Sequence, residues 1–322
     1  MIFISSLFRF LLIVFAIASV GSPTIAQDAA ATASRASELL VNVRWLSENN
    51  DAEKVRLISL GQTENEFRKG HIPNALFVDW KTQISDPSHT DLFNLPPQKN
   101  VEDLLSSWGV TPKMTVVISD NRSNRISTRL FWTLKVHGHQ KIKILDGGLQ
   151  AWQRSGKQLT TSVISVVPTA YKLALQRKKT AAANIVDTPT VSKSIGTDVV
   201  LIDGRPKPQY TGAQLGIAFH TNKPHKRVGH IKSAINVPWK ANFTKDGKFK
   251  SVEELRAVYA EAGVTSDQQI ITYCNEGLHA APAWFVLKEL LGFPNVKLYD
   301  DSMGVWANRF DTPMEQTEPL LD

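Results

Sequence analysis

The second half of the chain alternates short apolar runs with longer segments in which apolar residues recur at helical spacing. The apolar runs are typical of strands that a parallel sheet buries on both faces, and they are Val199–Asp203, Ala234–Val237, Ile270–Tyr273 and Val296–Tyr299. Helices are predicted at Ser251–Ala262, where Ser251 and Glu254 form a capping pair, and at Ala280–Leu291. This alternation predicts an α/β fold, in which a mainly parallel sheet is covered by helices on both faces.

The first half of the chain carries the same pattern as the second half. Three segments recur in the same order: those beginning at Gly70, Gly109 and Gly138 match those beginning at Gly229, Gly263 and Gly292. The last two pairs share a spacing of 154 residues. Each copy is long enough to fold as a domain. We therefore predict two similar domains, at residues 34–160 and 170–318, joined by a linker at 161–169.

The first 26 residues follow a different pattern. Arg9 precedes the apolar run Phe10–Val20, and helix-breaking residues then lead to the small residue Ala26. This is the layout of a secretory signal peptide. The alternative is an uncleaved membrane anchor, but the run is well short of the roughly 20 residues that span a bilayer. We predict a cleaved signal at 1–26 and a periplasmic or secreted protein, with membrane contact only if the signal stays uncleaved.

The chain carries a moderate excess of positive charge. The formal net charge is +7, and 42% of the 322 residues are hydrophobic, as in ordinary globular domains. The basic residues are diffuse except at Arg177–Lys179 and in the stretch 214–232, which are read most simply as a solubilising surface and a basic linker. No basic run is interleaved with aromatic residues, so no nucleic-acid partner is expected. No cofactor and no metal are expected either.

The chain has one cysteine, Cys274, which is either an inert buried thiol or a chemically used one. It follows the predicted strand Ile270–Tyr273 and precedes a short loop and a predicted helix. Loop N–H groups and the helix amino terminus are expected to lower the pKa of the thiol, and Gly277 permits a positive φ in the loop. The first copy has Asp120 at the corresponding position. These features favour a nucleophile in the second copy only.

Several motifs around this cysteine match a known family in order. The chain resembles the two-domain rhodanese family of thiosulfate and mercaptopyruvate sulfurtransferases, whose first domain commonly has aspartate in place of the catalytic cysteine. The resemblance covers about residues 36–318 and rests on Phe67–Pro73, Leu145–Trp152, Asp203–Arg205, Tyr210–Gly212, Gly229–Ile231 and the loop after Cys274.

The resemblance implies a sulfurtransferase that carries sulfane sulfur as a persulfide on the catalytic Cys274. The donor would be a small anion such as thiosulfate, and the acceptor would be cyanide or a thiol. The alternative is a sulfur-relay or binding module that passes the sulfur to a protein partner. The implied substrate-binding residues are Arg205, Asn275, Glu276, Gly277, Leu278 and His279.

Five positions depart from the family pattern. Asn275 and Glu276 stand where thiosulfate enzymes often carry cations, and Gln209 replaces a second substrate-binding arginine. Asp301 and Met303 replace a usual Gly and Trp. Glu276 is therefore expected to repel a thiosulfate dianion.

The roles of several basic residues stay open at this point. Arg205 either binds the anionic donor or pairs with Asp203, and His279 either donates to the persulfide or caps the helix. The stretch His225–Arg227 either supplies the missing cations or is a solvated loop. His71 and His230 recur in both copies, which favours a shared role in stabilising a turn.

A cysteine phosphatase also places a thiolate before a helix. That chemistry needs an arginine six residues after the cysteine, where this chain has Ala280.

Overall fold

The computed structural model describes residues 25–89, 92–173, 177–218 and 220–321. The strands are β1 Leu40–Val41, β2 Val55–Leu60, β3 Ala75–Phe77, β4 Thr115–Asp120, β5 Ile142–Leu145, β6 Ile185–Val186, β7 Val200–Asp203, β8 His230–Ile231, β9 Ile235–Asn236, β10 Ile270–Tyr273, β11 Val296–Tyr299 and β12 Met314–Glu315.

The helices of the first copy are α1 Ile25–Leu39, α2 Val43–Asn49, α3 Glu64–Lys69, α4 Trp80–Gln83, α5 Gln98–Ser107, α6 Arg125–Val136 and α7 Gly148–Arg154. Those of the second copy are α8 Arg177–Asn184, α9 Thr188–Ser194, α10 Lys207–Thr211, α11 Val252–Glu261, α12 Ala281–Trp284 and α13 Ser302–Trp306, with a 3₁₀ helix at Trp239–Asn242.

The two copies form two five-stranded sheets of the same topology. The first sheet has the order β1-β5-β4-β2-β3 and the second has the corresponding order β6-β11-β10-β7-β9. Every pairing within these two sheets is parallel. The predicted α/β fold and the duplication are therefore confirmed. The second copy also has a small antiparallel pair, β8 with β12, that the sequence analysis did not predict.

Most of the predicted elements of the second copy agree with the structure, and one helix differs. The strands β10 and β11 have the predicted bounds, and α11 begins after the predicted cap, in which Ser251 and Glu254 bond each other's backbone. The helix predicted at Ala280–Leu291 is instead a short α-helix, α12, that continues as a π-helix over Phe285–Leu290. Backbone hydrogen bonds in this helix join residues five positions apart instead of four, as from Leu291 N to the carbonyl of Val286.

The two domains pack through α6 and the helix that begins with α12. The Phe131 and Phe285 rings meet edge to face with centroids 4.8 Å apart, and Lys135 lies 3.3 Å from Glu289. The residues of each pair are counterparts in the repeat, 154 positions apart in the chain. One apolar core runs through both domains at this interface. The carboxyl end of β10, where Cys274 lies, is thereby brought next to the first domain.

The predicted linker and the predicted signal flank the first domain in the chain. Residues 161–173 contain no helix or strand, and Thr169 N donates to the carbonyl of Ser106, so this predicted linker region runs along the first domain. The predicted signal at 1–26 lies outside the described residues except for its last two, which begin α1. Over the described ranges, no helix combines the length and the apolar character needed to cross a bilayer.

Candidate active site

The sulfur of Cys274 lies at the centre of a loop of backbone N–H groups. The loop follows β10 directly, and the cysteine is only 1% exposed. The amide of His279 donates to Sγ at 3.2 Å, and the amides of Glu276 and Ala280 also bond the sulfur. Gly277 has φ +77°, and a Cβ there would collide with Asp300. The predicted glycine turn around the sulfur is therefore present.

The pKa of the thiol departs from the sequence-based expectation. Burial, together with the charge of Glu276, raises the pKa of Cys274 to about 11 despite the amides of Glu276, His279 and Ala280, which lower it. The prediction of a lowered pKa was wrong because desolvation of the thiolate outweighs the loop amides in this covered site. The thiol is consequently protonated at neutral pH in this closed arrangement.

Ser302 shapes the loop, and the sequence analysis missed it. Its hydroxyl oxygen accepts from the amides of Cys274 and Gly277 at 3.1 and 3.2 Å and donates to the carbonyl of Tyr299 at 2.8 Å. Ser302 is fully buried and has φ +49°. The only signal in the sequence was that the first copy has Gly148 at the corresponding position. Both residues have a positive φ, which is uncommon for a residue with a Cβ such as Ser302.

Arg205, on one side of the loop, forms an ion pair and hydrogen bonds within the protein. Its Nε and Nη2 atoms donate to the Asp203 carboxylate at 3.0 and 2.6 Å, and Nη2 also donates to the carbonyl of Gly229 at 2.8 Å. Both members of this ion pair are fully buried. The sequence left open whether Arg205 binds the anionic donor or pairs with Asp203, and the structure shows the pairing with Asp203.

A covering segment, residues 214–218 and 220–228, lies over the cysteine loop. His225 Nε2 donates to Asn275 Oδ1 at 3.1 Å, and Asn275 Nδ2 donates to Gln209 Oε1 at 3.0 Å. Gly216 lies so close that a Cβ there would be 2.7 Å from Asn275 Oδ1. Asn275 is therefore 4% exposed and bound on both sides.

The stretch 225–227 does not supply the missing cations. Burial lowers the pKa of His225 to about 4, so this histidine is neutral at physiological pH. Arg227 donates to the carbonyls of Trp306 and Thr312 at 2.6 and 2.9 Å. His225 and Arg227 thus hold the covering segment in place. The two roles considered from the sequence, supply of cations and a solvated loop, do not describe these two residues.

The same segment also binds Glu276. The backbone N–H of His220 donates to Glu276 Oε1 at 3.0 Å, and His220 Nδ1 contacts Oε2. Glu276 is 3% exposed, so its carboxylate points neither to solvent nor freely into the site. The expected repulsion of a dianion by this carboxylate is therefore reduced by a direct polar partner.

His279 acts on the sulfur through its backbone, and its ring binds the other domain. Nε2 accepts from Nη1 of Arg125 at 2.9 Å, and the imidazole stacks on Trp239 with centroids 5.2 Å apart. Burial, with the charges of Arg125 and Lys240, lowers the pKa of His279 to about 3. The sequence analysis missed Arg125, although it is the counterpart of His279 in the first copy.

The first copy has a carboxylate where the second has its sulfur. The Asp120 carboxylate accepts from the amides of Arg122, Asn124 and Ser127 at 2.7, 3.0 and 2.7 Å. This loop is therefore an anion cradle that the protein fills with its own side chain.

His71 and His230 occupy equivalent positions in the two copies. His71 stacks on Phe67 and donates to its carbonyl, and His230 does the same with Tyr210. This geometry agrees with the shared stabilising role expected from the sequence.

The amino-acid sequence was compared with known proteins and families. A family model described as "Rhodanese-like domain" matches residues 42–155 and again residues 187–309. A protein of Saccharopolyspora erythraea, provisionally named as a thiosulfate sulfurtransferase, is 34% identical over 281 residues, which cover 87% of this chain and 97% of that protein. The sulfur carrier protein TtuD of Thermus thermophilus is 32% identical over 281 residues, covering 87% of this chain and 98% of that protein.

A solved structure extends the comparison to the arrangement of both domains. The 3-mercaptopyruvate sulfurtransferase SseA from Escherichia coli is 26% identical and superposes with a TM-score of 0.70, covering 83% of this chain and 99% of that one. The family model, the relatives and this structure all agree with the resemblance identified from the motifs. The chain therefore belongs to the rhodanese family, as a tandem pair of rhodanese-like domains of which the second carries the cysteine.

Proposed function

We propose that this protein is a sulfurtransferase that moves sulfane sulfur from a small anionic donor, thiosulfate or a related compound, to cyanide or a thiol. The observation that carries the proposal is the sulfur of Cys274, which is bonded by three loop amides. Such a cradle stabilises negative charge on a transferred sulfur as well as on the thiolate. The names of the relatives support the same class of chemistry.

The reaction divides into two substitutions at sulfur. The Cys274 thiolate attacks the outer sulfur of thiosulfate, the S–S bond of the donor breaks, and the bonding electron pair leaves with sulfite. The proton of the original thiol goes to sulfite or to solvent. The acceptor then attacks the outer sulfur of the persulfide, the new S–S bond breaks, and its electron pair returns to Cys274 as thiolate.

Entry of either substrate requires residues around Cys274 to move. The sulfur is almost fully buried, and the neighbouring loop residues Asn275 and Glu276 are held by the covering segment. Movement would admit water, which removes the main cause of the raised pKa of Cys274 and favours the reactive thiolate. Opening and activation of the nucleophile are thus one event in this scheme.

The proposal is tested by measuring the intact mass of the purified protein after treatment with thiosulfate. One added sulfur atom is expected, and subsequent cyanide should remove it and form thiocyanate. The Cys274→Ser variant, which keeps the size of the side chain, is the matched control and should gain no sulfur. A wild-type protein that never gains sulfur from thiosulfate or mercaptopyruvate would disprove the proposal.

A sulfur relay to a protein acceptor is the second candidate function. Burial of the sulfur and similarity to a protein named as a sulfur carrier favour it. A relay protein should load one sulfur quickly but turn over slowly with cyanide or small thiols. A fast steady-state rate with cyanide would instead favour the small-molecule enzyme.

We also propose that the protein is exported, on the strength of the apolar run Phe10–Val20 after Arg9. Expression with its native amino terminus, followed by cell fractionation and amino-terminal sequencing, tests this. A full-length protein retained in the cytoplasm would contradict it.

A further inference from the structure

The side of the loop that faces the covering segment offers little positive charge to an anionic donor. Arg205 is bound bidentately by Asp203, and Gln209 is bonded to Asn275. Glu276 adds a negative charge on this side. Arg205 acts electrostatically on Cys274, but Asp203 largely neutralises its charge, so a donor that carries one or two negative charges gains from a further cationic partner around Cys274.

The loop meets solvent at its other end. Among Cys274 and the six predicted binding residues, His279 alone is partly exposed, and the rest are buried. Because the amide of His279 bonds the sulfur, an approach along its side chain leads directly to the reacting atom. The partly exposed side of the loop is thus formed by the imidazole and the Trp239 ring on which it stacks.

Two cations flank this path, one from each domain. The Arg125 guanidinium carbon lies 5.2 Å from the centre of the Trp239 ring, and the Lys240 ammonium lies 5.8 Å from that centre. Lys240 is exposed, whereas Arg125 is 9% exposed at the domain interface. Burial is the largest cause of the lowered pKa of His279, and the charges of Arg125 and Lys240 lower it further. The potential at the open end of the loop is therefore positive.

The acidic group that acts most directly on Arg125 does not cancel this potential. Asp120 stabilises the charged form of Arg125, but its carboxylate is already bonded by three amides of its own loop. Arg122, on the same loop, adds another positive charge that acts on Arg125.

We propose that Arg125 and Lys240 form the anion site that holds the charged end of the sulfur donor, while its sulfane sulfur reaches Cys274 past Trp239 and His279. The inference rests on the proposed sulfurtransferase function and adds the donor site to it. The first domain, which lacks the nucleophile, thereby contributes a residue to substrate binding. The ligand class is a small oxyanion or carboxylate joined to sulfane sulfur.

The test compares Arg125→Gln, Lys240→Gln and the double variant with wild type, using thiosulfate and an uncharged dialkyl trisulfide as donors. Loss of one charge-assisted contact should lower kcat/KM for thiosulfate about tenfold in each single variant, mainly through KM. Attack of the Cys274 thiolate on the central sulfur of the trisulfide displaces one alkyl thiolate and leaves an alkyl trisulfide on Cys274, and the rate of this mass gain should change by less than about twofold in Lys240→Gln. Lys193→Gln, on an exposed face of α9, is the charge-matched control and should behave as wild type.

Two further measurements separate charge binding from support of the loop. Sulfate, which cannot react, should inhibit competitively with thiosulfate, and its inhibition constant should rise in parallel with KM. Arg125→Lys should recover most of the affinity, because it keeps the charge at the same place.

Unchanged KM and sulfate inhibition in both single variants would overturn the anion site. An equal loss of activity with the charged and uncharged donors in both variants would overturn it too, because it would show that the residues only support the loop. Failure of the proposed function looks different, because wild-type Cys274 would then gain no sulfur from thiosulfate.

Discussion

Removing the hydroxyl of Ser302 should destabilise the protein and slow its loading with sulfur. The hydroxyl accepts two buried amide bonds and donates one, all between 2.8 and 3.2 Å. Ser302→Ala leaves two amides and one carbonyl without this partner. At roughly 1–3 kcal/mol for each buried donor left unsatisfied, the free energy of unfolding should fall by about 2–5 kcal/mol.

The backbone at Ser302 supplies a second, independent comparison. Its φ of +49° strains any residue with a Cβ, by about 1–2 kcal/mol. Ser302→Gly loses the same hydroxyl but relieves that strain, and the greater freedom of glycine in the unfolded chain offsets only part of the gain. The Gly variant should therefore be at least as stable as the Ala variant.

Urea denaturation and the rate of persulfide formation are the measurements. Ser192→Ala, on the exposed side of α9, is the matched control and should lie within about 0.5 kcal/mol of wild type. Loading of Ser302→Ala by thiosulfate should slow about tenfold, since the displaced amides belong to the loop that holds the sulfur. A Ser302→Ala variant as stable as the control, or a Gly variant clearly less stable than the Ala variant, would refute the reasoning.

Further outcomes follow from the same geometry. Cys274→Ser should abolish thiocyanate formation by steady-state assay, and residual turnover would show a second sulfur carrier. Asp120→Asn turns an amide group toward the backbone donors of its loop and should lower the urea midpoint of unfolding, while turnover stays within a few-fold of wild type. A hundredfold loss of turnover, about 2.7 kcal/mol of barrier, would mean that the carboxylate takes part in catalysis. Alkylation of Cys274 by iodoacetamide should keep accelerating as the pH rises from 8 toward its pKa of about 11, and a plateau near pH 8.5 would mean that the thiol is not buried in solution. Burial lowers the pKa values of His139 and His225 to about 4, so the unfolded chain binds protons first and the free energy of unfolding should fall as the pH drops from about 6.5 to 4. The pKa of Asp146, which is raised to about 6, offsets part of this loss. Denaturation midpoints that rise as the pH drops over this interval would contradict the prediction.

The fold was predictable because its signals are local or periodic. The run Ile270–Tyr273, rich in β-branched and aromatic residues, forms the strand β10, and the capping pair at Ser251 begins α11. The duplicated pattern required two sheets of one topology. The loop after Cys274 could be located for the same reason, since it joins a predicted strand to a predicted helix.

The missed parts of the site depend on segments that are distant in the chain. Ser302, Arg125 and His220 reach the loop from a following turn, from the other domain and from the covering segment. No local pattern marks such contacts. The sign of the Cys274 pKa shift was missed for a related reason: a helix terminus is visible in the sequence, but the burial that outweighs it depends on how distant segments pack around the site.

The helix interface between the domains has a consequence for how the two copies could diverge. In a symmetric dimer of one such domain, a residue on the axis faces its own copy, so a lysine at the position of Lys135 would meet another lysine. Once both copies lie in one chain, each position can hold two different residues. Lys135 faces Glu289 and Arg125 faces His279, pairs that a symmetric dimer cannot form at its axis. Covalent fusion thus allowed complementary chemistry at sites where identity would have meant repulsion.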